Sequence, residues 1–344
     1  MSSTNKIKIG INGFGRIGRT VFRQLHDSDR FEVVQINDLN PDILNLSYLL
    51  NFDSLHGRFS PKSTVESNSL VIGNKKIKVT NSPLITEAGW SNSDVDILIE
   101  SSGYKPNIPI IRDCLEGTVK KVLFSDSPEG MDITIANGVN ENDYIHESDH
   151  VISSSICDVI GTAPILKLID EEYGIETGFL QTLHPWLNYQ NIMDGSLNQD
   201  VIGDPEGKAY GIGRASPSNL IPKNTTLGKA LIKVMPSLEG KLSTMSYRVP
   251  TEIVGSCSMV IELGKETDTE QVKSFLRGCE NKPVIEMNED PIVSVDMRHH
   301  DSSCVVDLRW TEVLNNKLRL VTWYDNEWGY VNRLIDNLTR IVGN

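Results

Sequence analysis

The run Lys6-Ile-Lys-Ile-Gly-Ile-Asn12 followed by Gly13-Phe-Gly-Arg-Ile-Gly18 constrains the fold more than any other stretch of the chain. Its first seven residues alternate in polarity and predict a strand. The glycines then turn the chain into a helix with Val21, Phe22 and Leu25 on one face, and Glu32-Val-Val-Gln-Ile-Asn37 predicts a second strand ending at Asp38. Strand, turn, helix and strand within about thirty residues make a βαβ unit, which implies a parallel sheet. G-x-G-x-x-G alone is a weak pattern. Placed between a strand and a helix, with an acid about 20 residues later, it is a dinucleotide-binding fingerprint rather than a mere tight turn. Gly13 permits the turn, Gly15 lets backbone approach a pyrophosphate, and Gly18 allows close helix–strand packing; Phe14, Arg16 and Ile17 are the residues between them. The helix start offers free N–H groups to phosphate. Asp38 can accept from both ribose hydroxyls and would repel a 2′-phosphate, so NAD is expected rather than NADP.

Further strands are expected at 68–72, 75–79, 95–100, 121–125 and 132–136, with a helix over 107–115, which continues the α/β pattern. The pattern changes after about residue 150. Residues 151–155 read as a short strand leading to Cys157, a helix follows to about Glu172, and strand-like runs recur at 178–183, 242–249, 256–263, 292–294, 304–308 and 317–324. With few crossover helices between them, these imply a mixed or antiparallel sheet and an α+β catalytic domain. Residues 268–277 and 330–341 read as helices, and 185–222 as a long polar loop of the kind used for function or an interface. The expected division is a nucleotide-binding domain over 1–154 and a catalytic domain over 155–326.

Composition sets outer limits. A chain of 344 residues, 39% hydrophobic and 23% charged, suits two ordinary globular domains. Its net charge of −13 argues against a general nucleic-acid or anionic-membrane surface. With no apolar run of about 18 residues and no secretory h-region, no membrane span and a cytoplasmic location are expected. The five cysteines are odd in number, widely spaced and without C-x-x-C, which suits a reducing compartment and argues against a disulfide scaffold or a metal site.

Cys157 and His184 carry the chemistry. Cys157 sits in Ser153-Ser-Ser-Ile-Cys-Asp158 at the expected start of a helix, and His184 in Thr182-Leu-His-Pro-Trp186 at a strand end. A thiol beside an imidazole can be activated to attack an aldehyde. With a nicotinamide to take hydride and the imidazole to take a proton, the product is a thioester on sulfur. The competing accounts are a buried inert thiol and a packed histidine. Cys114, Cys257, Cys279 and Cys304 lie in strand or helix patterns and read as structural.

Four segments, Ile11-Asn-Gly-Phe-Gly-Arg-Ile-Gly-Arg19, Asn51-Phe-Asp-Ser-Leu-His-Gly-Arg-Phe59, Arg248-Val-Pro-Thr251 and Trp323-Tyr-Asp-Asn-Glu-Trp-Gly-Tyr330, resemble the phosphorylating glyceraldehyde-3-phosphate dehydrogenase family nearly end to end. The resemblance implies a Rossmann domain plus a catalytic domain, a homotetramer, a small aldehyde substrate, and a last helix, about 327–344, packing back on the nucleotide domain. It implies that Arg16 and Ile17 line the pyrophosphate, that Ser102 and Ser125 lie along the cofactor, and that Asn326 holds the nicotinamide amide. The 185–222 segment resembles a family loop that contacts a neighbouring subunit's cofactor pocket, and is longer here before Arg214.

The surroundings of Cys157 depart from that family. There a Ser precedes the cysteine and Thr-Thr-Asn follows, and the hydroxyls help bind attacking phosphate; here Ile156 precedes and Asp158-Val-Ile160 follows. A carboxylate in place of a hydroxyl disfavours phosphate. It is also a candidate base for water, although an acid at a helix start is favourable without any such role. The later family Thr-Gly reads Thr225-Thr226, Leu187 and Tyr189 stand in the loop after the histidine, and Arg248 and Arg214 remain as anion-binding candidates. Trp186 and Tyr189 are candidates to pack against a larger or less charged substrate. Three functions follow: a thioester-forming aldehyde dehydrogenase with altered substrate and acyl acceptor, acid-forming by hydrolysis; an ordinary phosphorylating enzyme; or a catalytically weak NAD-binding regulatory paralogue.

Overall fold

A computed structural model describes residues 6–196 and 210–343. They fall into two compact units: one from the described residues of Met1–Ile135, Glu141–Ser155 and Val331–Asn344, the other from those of Ala136–Asn140 and Ile156–Tyr330. No helix among them is long and apolar enough to cross a membrane.

The first unit is built on a nine-stranded sheet in the order Ile133–Thr134, Val151–Ser153, Lys121–Phe124, Ile97–Glu100, Ile7–Asn12, Phe31–Asn37, Lys75–Thr80, Ser69–Ile72, Thr64–Glu66. The first seven strands run parallel. Consecutive residues such as Leu98 and Ile99, or Val122 and Leu123, are fully buried, as strands covered on both faces require. The helix Arg16–Leu25 buries Val21, Phe22 and Leu25, and Phe22 meets Phe14 edge to face. From Ile7–Asn12 the chain moves to Phe31–Asn37 on one side and later returns at Ile97–Glu100 on the other. The carboxyl ends of these strands therefore flank a switch point, where open α/β sheets bind ligands. The helix Trp328–Ile341 contributes its residues from Val331 onward to this unit, and Asn337 donates to the Ser154 hydroxyl.

Two expectations need correction here. The 68–72 and 75–79 runs form an antiparallel hairpin at the sheet edge, because the two residues of Gly73-Asn74 are too few for a parallel crossover. The helix expected over 107–115 is a 3₁₀ segment, Lys105–Leu115, since Pro109 inside it has no N–H to donate to an α-helical ladder.

The second unit carries an eight-stranded mixed sheet. Its path runs Ile221–Lys223, Leu242–Val249, Ile175–Pro185, Gly255–Leu263, Lys317–Tyr324, Cys304–Asp307, Ile285–Asn288, with Glu312–Leu314 added on Lys317–Tyr324. Two pairings are parallel, Ile175–Pro185 with Leu242–Val249 and Ile285–Asn288 with Cys304–Asp307, so the sheet is not purely antiparallel. Strand alternation puts Leu180, Thr182 and His184 on the covered face with Cys257, Met259, Leu320 and Tyr324. Ile165, Leu166 and Ile169 of the helix Ala163–Tyr173 and Leu231 of the helix Leu227–Val234 fill the space against most of these side chains. The single helix expected from Cys157 to Glu172 is instead two, Cys157–Ile160 and Ala163–Tyr173, broken at Gly161-Thr162. The strand expected at 292–294 is absent; Val293 donates its N–H to Asp296 and starts a 3₁₀ turn, Ser294–Met297.

Candidate active site

At the carboxyl ends of the parallel strands the first unit gathers Gly13, Gly15, Gly18, Asp38, Ser102 and Ser125. Gly13 has φ of +86°, and a Cβ there would lie 2.4 Å from the Ser102 Cα. A Cβ on Gly18 would lie 2.0 Å from the Gly13 carbonyl oxygen, whereas Gly15 faces open space. No side chain caps the helix Arg16–Leu25, whose first turn begins beside that space. A cradle closed at Gly13 and Gly18 and open at Gly15 fits a pyrophosphate. Asp38 accepts from the N–H groups of Phe14 and Asn40, at 2.7 and 2.9 Å, which holds its carboxylate at the strand end. Ser125 donates its N–H to the Glu100 carbonyl, and Ser102 rests on the Glu100 carboxyl through both N–H and hydroxyl.

Two acids in this region escaped the sequence reading. Asp53 pairs with Arg16 at 2.5 Å. Burial alone would raise its carboxyl, but the His56 N–H, the Arg16 charge and the Leu55 N–H outweigh burial and hold it at about 2. Arg16 therefore joins the glycine turn to the Asn51–Phe59 segment as well as standing beside the phosphate cradle. Glu100 is buried under Asn12, Ser102 and Asn107; burial pushes its carboxyl up, against those hydrogen bonds. Neither acid carries spacing that would distinguish it from any other strand-end or loop acid.

In the second unit, Cys157 opens the helix Cys157–Ile160 and His184 comes from the strand Ile175–Pro185. The Cys157 Sγ lies 3.6 Å from His184 Nε2 and 3.7 Å from Asp158 Oδ1. His184 Nδ1 lies 2.8 Å from the Pro185 carbonyl, which can only accept, so the proton sits on Nδ1 and the Nε2 lone pair faces sulfur. Burial, and then the Arg248 charge, lower the His184 pKa to about 4, against the Asp158 charge. Burial and the Asp158 carboxylate push the Cys157 thiol well above its ordinary value, with Arg248 opposing. The resting pair is thus a thiol facing a neutral imidazole. Ser155, two residues earlier, has φ of 55°, a strained conformation of the kind that collects at active sites.

The His184 environment has a consequence for stability. Its folded pKa of about 4 lies below the unfolded value of about 6.5, so on acidification the unfolded chain takes the proton first. This contribution is fully present above pH 6.5 and is lost as pH falls toward 4, by about 3 kcal/mol. Denaturant midpoints measured across that window are expected to fall less steeply for His184→Asn; identical slopes for both proteins would contradict the assignment.

Asp158 is buried, and its Oδ1 accepts the Tyr324 hydroxyl at 2.8 Å. Two glycines make that contact possible. A Cβ on Gly161 would lie 2.3 Å from the Tyr324 ring, and one on Gly255 2.5 Å from it. Gly161→Ala is expected to displace the ring and to destabilise the second unit by about 1–3 kcal/mol, read from thermal unfolding; an unchanged midpoint would show that the ring has room.

Arg248 is in register with His184 on the neighbouring strand and is buried. One Nη donates to the Tyr189 hydroxyl at 3.3 Å, its Nε has no partner, and among the described residues no carboxylate pairs with it. A buried guanidinium in this condition is suited to an anionic ligand. Trp186 bonds through its N–H to the Thr251 carbonyl, and Thr225 accepts the Leu227 N–H at the start of the helix Leu227–Val234, which packs on the Cys157 helix. Arg214 differs: it is exposed and paired with Asp194 at 2.8 Å, and among the described residues no hydrogen bond or ion pair joins it to this cluster. Asn326 accepts the Val254 N–H through its side-chain oxygen. Residues 197–209 of the long loop lie outside the described residues.

Residues 7–107 match the family model described as the glyceraldehyde 3-phosphate dehydrogenase NAD binding domain, and residues 156–326 match that of the C-terminal domain. Among similar proteins, glyceraldehyde-3-phosphate dehydrogenase 1 of Bacillus cereus is 36% identical over 333 residues, 96% of each chain. The glyceraldehyde-3-phosphate dehydrogenase of Geobacillus stearothermophilus is 37% identical over 334 residues, again 96% of each chain. The cytosolic glyceraldehyde-3-phosphate dehydrogenase of Chondrus crispus is 36% identical over 338 residues, 97% of this chain and 98% of its own.

Proposed function

The chain belongs to the glyceraldehyde 3-phosphate dehydrogenase family, NAD-dependent oxidoreductases acting on an aldehyde, and from that premise we propose that it forms a thioester on Cys157 which water, rather than inorganic phosphate, resolves. The observation that carries this reading is the Asp158 carboxylate 3.7 Å from Sγ, where the family pattern has a hydroxyl.

His184 Nε2 takes the thiol proton as sulfur adds to the aldehyde carbon and hands it to the former carbonyl oxygen, which becomes the hydroxyl of the adduct. Arg248 and the Tyr189 hydroxyl hold an anionic or polar end of the substrate. NAD, when bound through Gly13, Gly15, Gly18 and Asp38, supplies the two-electron oxidant for the adduct carbon. His184 accepts the hydroxyl proton of that adduct and leaves the thioester on Cys157. Asp158, fixed by Tyr324, then takes a proton from a water placed at the acyl carbon; the C–S bond breaks, and the proton passes to sulfur as the acid departs. The same carboxylate repels a phosphate dianion from the position a nucleophile must occupy.

The second reading, an ordinary phosphorylating enzyme, is favoured by the unpartnered Arg248 Nε and the Thr225–Thr226 helix start. NADH formation with D-glyceraldehyde 3-phosphate, with and without inorganic phosphate, separates the two. Hydrolysis predicts a free carboxylic acid at a rate indifferent to phosphate, and phosphate dependence appearing in Asp158→Thr. Strict phosphate dependence with an acyl phosphate product establishes the second reading instead.

We further assign the protein to the cytoplasm as a homotetramer. All five cysteines are free, which suits a reducing compartment. On the open face of the second sheet, Phe179 is 70% exposed opposite Val260, with Leu183 on the same strand as Phe179 and Met245 on the neighbouring strand Leu242–Val249, an apolar surface that another copy would cover. Sedimentation at the mass of one 38.3 kDa chain would contradict the assembly.

A further inference from the structure

The Cys157 sulfur, an Asp158 carboxylate oxygen and a His184 ring nitrogen all lie within 4.8 Å of one another. Two edges of that triangle are 3.6 Å, sulfur to Nε2, and 3.7 Å, sulfur to Oδ1. A tetrahedral zinc ion with Zn–S of about 2.3 Å and Zn–N or Zn–O of about 2.1 Å separates its ligand atoms by about 3.6 Å. These edges therefore already match those of a zinc tetrahedron, and the partly buried sulfur leaves a fourth position for water. We infer that this centre is also a binding site for a thiophilic divalent cation of the zinc class, and that occupancy switches the enzyme off. The switch, though not the binding, rests on the proposed roles of Cys157 and His184.

The contacts behind the ligands support it. His184 donates its other ring N–H to the Pro185 carbonyl, which directs the Nε2 lone pair inward, and Asp158 is steadied by the Tyr324 hydroxyl. A backbone carbonyl behind a ligating imidazole and a hydrogen bond on a ligating carboxylate are the outer contacts that metal sites use. Asp158 is what makes the site: a cysteine and a histidine alone offer two ligands, and the carboxylate supplies a third hard, charged one. Charge balance is close. The ion displaces the thiol proton, forming one S–metal bond and releasing one H⁺, and the thiolate and Asp158 together neutralise it. Arg248 and Lys223 are the cationic groups acting on His184 and weaken binding without removing it. Once bound, the metal occupies both the sulfur lone pair needed for attack and the Nε2 lone pair needed for proton transfer.

The test uses metal-stripped full-length protein near neutral pH without aldehyde, titrated with Zn²⁺ by calorimetry and with Co²⁺ as a spectroscopic probe. One ion per chain is expected, with a thiolate-to-cobalt charge-transfer band and the intense visible bands of tetrahedral cobalt. Zn²⁺ is expected to protect Cys157 from alkylation, read by peptide mapping. Cys157→Ser and Asp158→Asn are each expected to weaken Zn²⁺ by more than about 10-fold, and Tyr324→Phe, which touches only the outer contact, by about 10-fold. Octahedral cobalt without the thiolate band, alkylation of Cys157 at saturating Zn²⁺, or an unchanged affinity in Asp158→Asn overturns the site. NAD binding by each variant reports its folding; should Asp158→Asn fail there, the cobalt spectrum and the protection of the unsubstituted protein decide. Aldehyde turnover that survives saturating Zn²⁺ overturns the switch. Because metal binding is read without turnover, failure of the site and failure of the proposed reaction are separate results.

Discussion

Cys157→Ser is expected to lower NADH formation on the order of 10⁴-fold or more while NAD still binds. The thiol is a far better nucleophile than a hydroxyl, and it is the group that His184 Nε2 faces at 3.6 Å. Oxygen for sulfur at this partly buried position is a nearly isosteric change, so the thermal midpoint should change little. Steady-state NADH absorbance with saturating NAD, beside a tryptophan-quenching titration of NAD, makes the measurement. Turnover within 10-fold of the unsubstituted protein, with NAD bound normally, would move the nucleophile elsewhere and with it the whole thioester scheme.

Gly13→Ala is expected to destabilise the first unit by about 3 kcal/mol or more and to abolish NAD binding. Two independent costs coincide. The φ of +86° penalises any Cβ by about 1–2 kcal/mol. The Cβ would also stand 2.4 Å from the backbone of Ser102, and backbone cannot swing aside as a flexible side chain does. Relief requires the turn to part from the Ser101-Ser102 segment, which opens the cradle proposed for pyrophosphate. Urea unfolding and NAD titration are the measurements; a variant that binds NAD with unchanged affinity would show that the turn has another conformation available. Gly15→Ala, whose Cβ meets nothing within 4 Å, serves as the comparison for stability.

Much of this was legible in the residues. The fingerprint at Gly13–Gly18 reads clearly because few alternatives turn a buried strand into a helix over six residues. The pairing of Cys157 with His184 was legible as chemistry, through the company each keeps. The setting of Asp158 was half legible: its identity shows a carboxylate beside sulfur, but its grip by Tyr324 depends on Gly161 and Gly255, which are distant in sequence and both lie against that one ring. Arg248 and Arg214 look equivalent as anion-binding candidates along the chain. Strand register sets one beside His184, while the other faces solvent against Asp194. The hairpin at 69–80 and the 3₁₀ segment at 105–115 were not legible, because a short apolar run carries no information about its partner strand and only Pro109 sets the second segment apart from an α-helix.

What the chain determined by itself were the properties set within a few residues: the βαβ start, the acid at the end of its second strand, the place of Cys157 at a helix start, and the alternation that turns His184 inward. These follow from local sterics, periodicity and side-chain chemistry. Only the tertiary structure decided which groups act on one another: the tautomer of His184, the proton held on Cys157, the Tyr324–Asp158 bond and the three-atom cluster around sulfur. Those depend on distances of 2.8 to 3.7 Å between residues as far apart as 158 and 324, and on removal from water, which raises the thiol and lowers the imidazole. Sequence spacing encodes neither quantity, because both arise only when separate strands and helices are packed against each other.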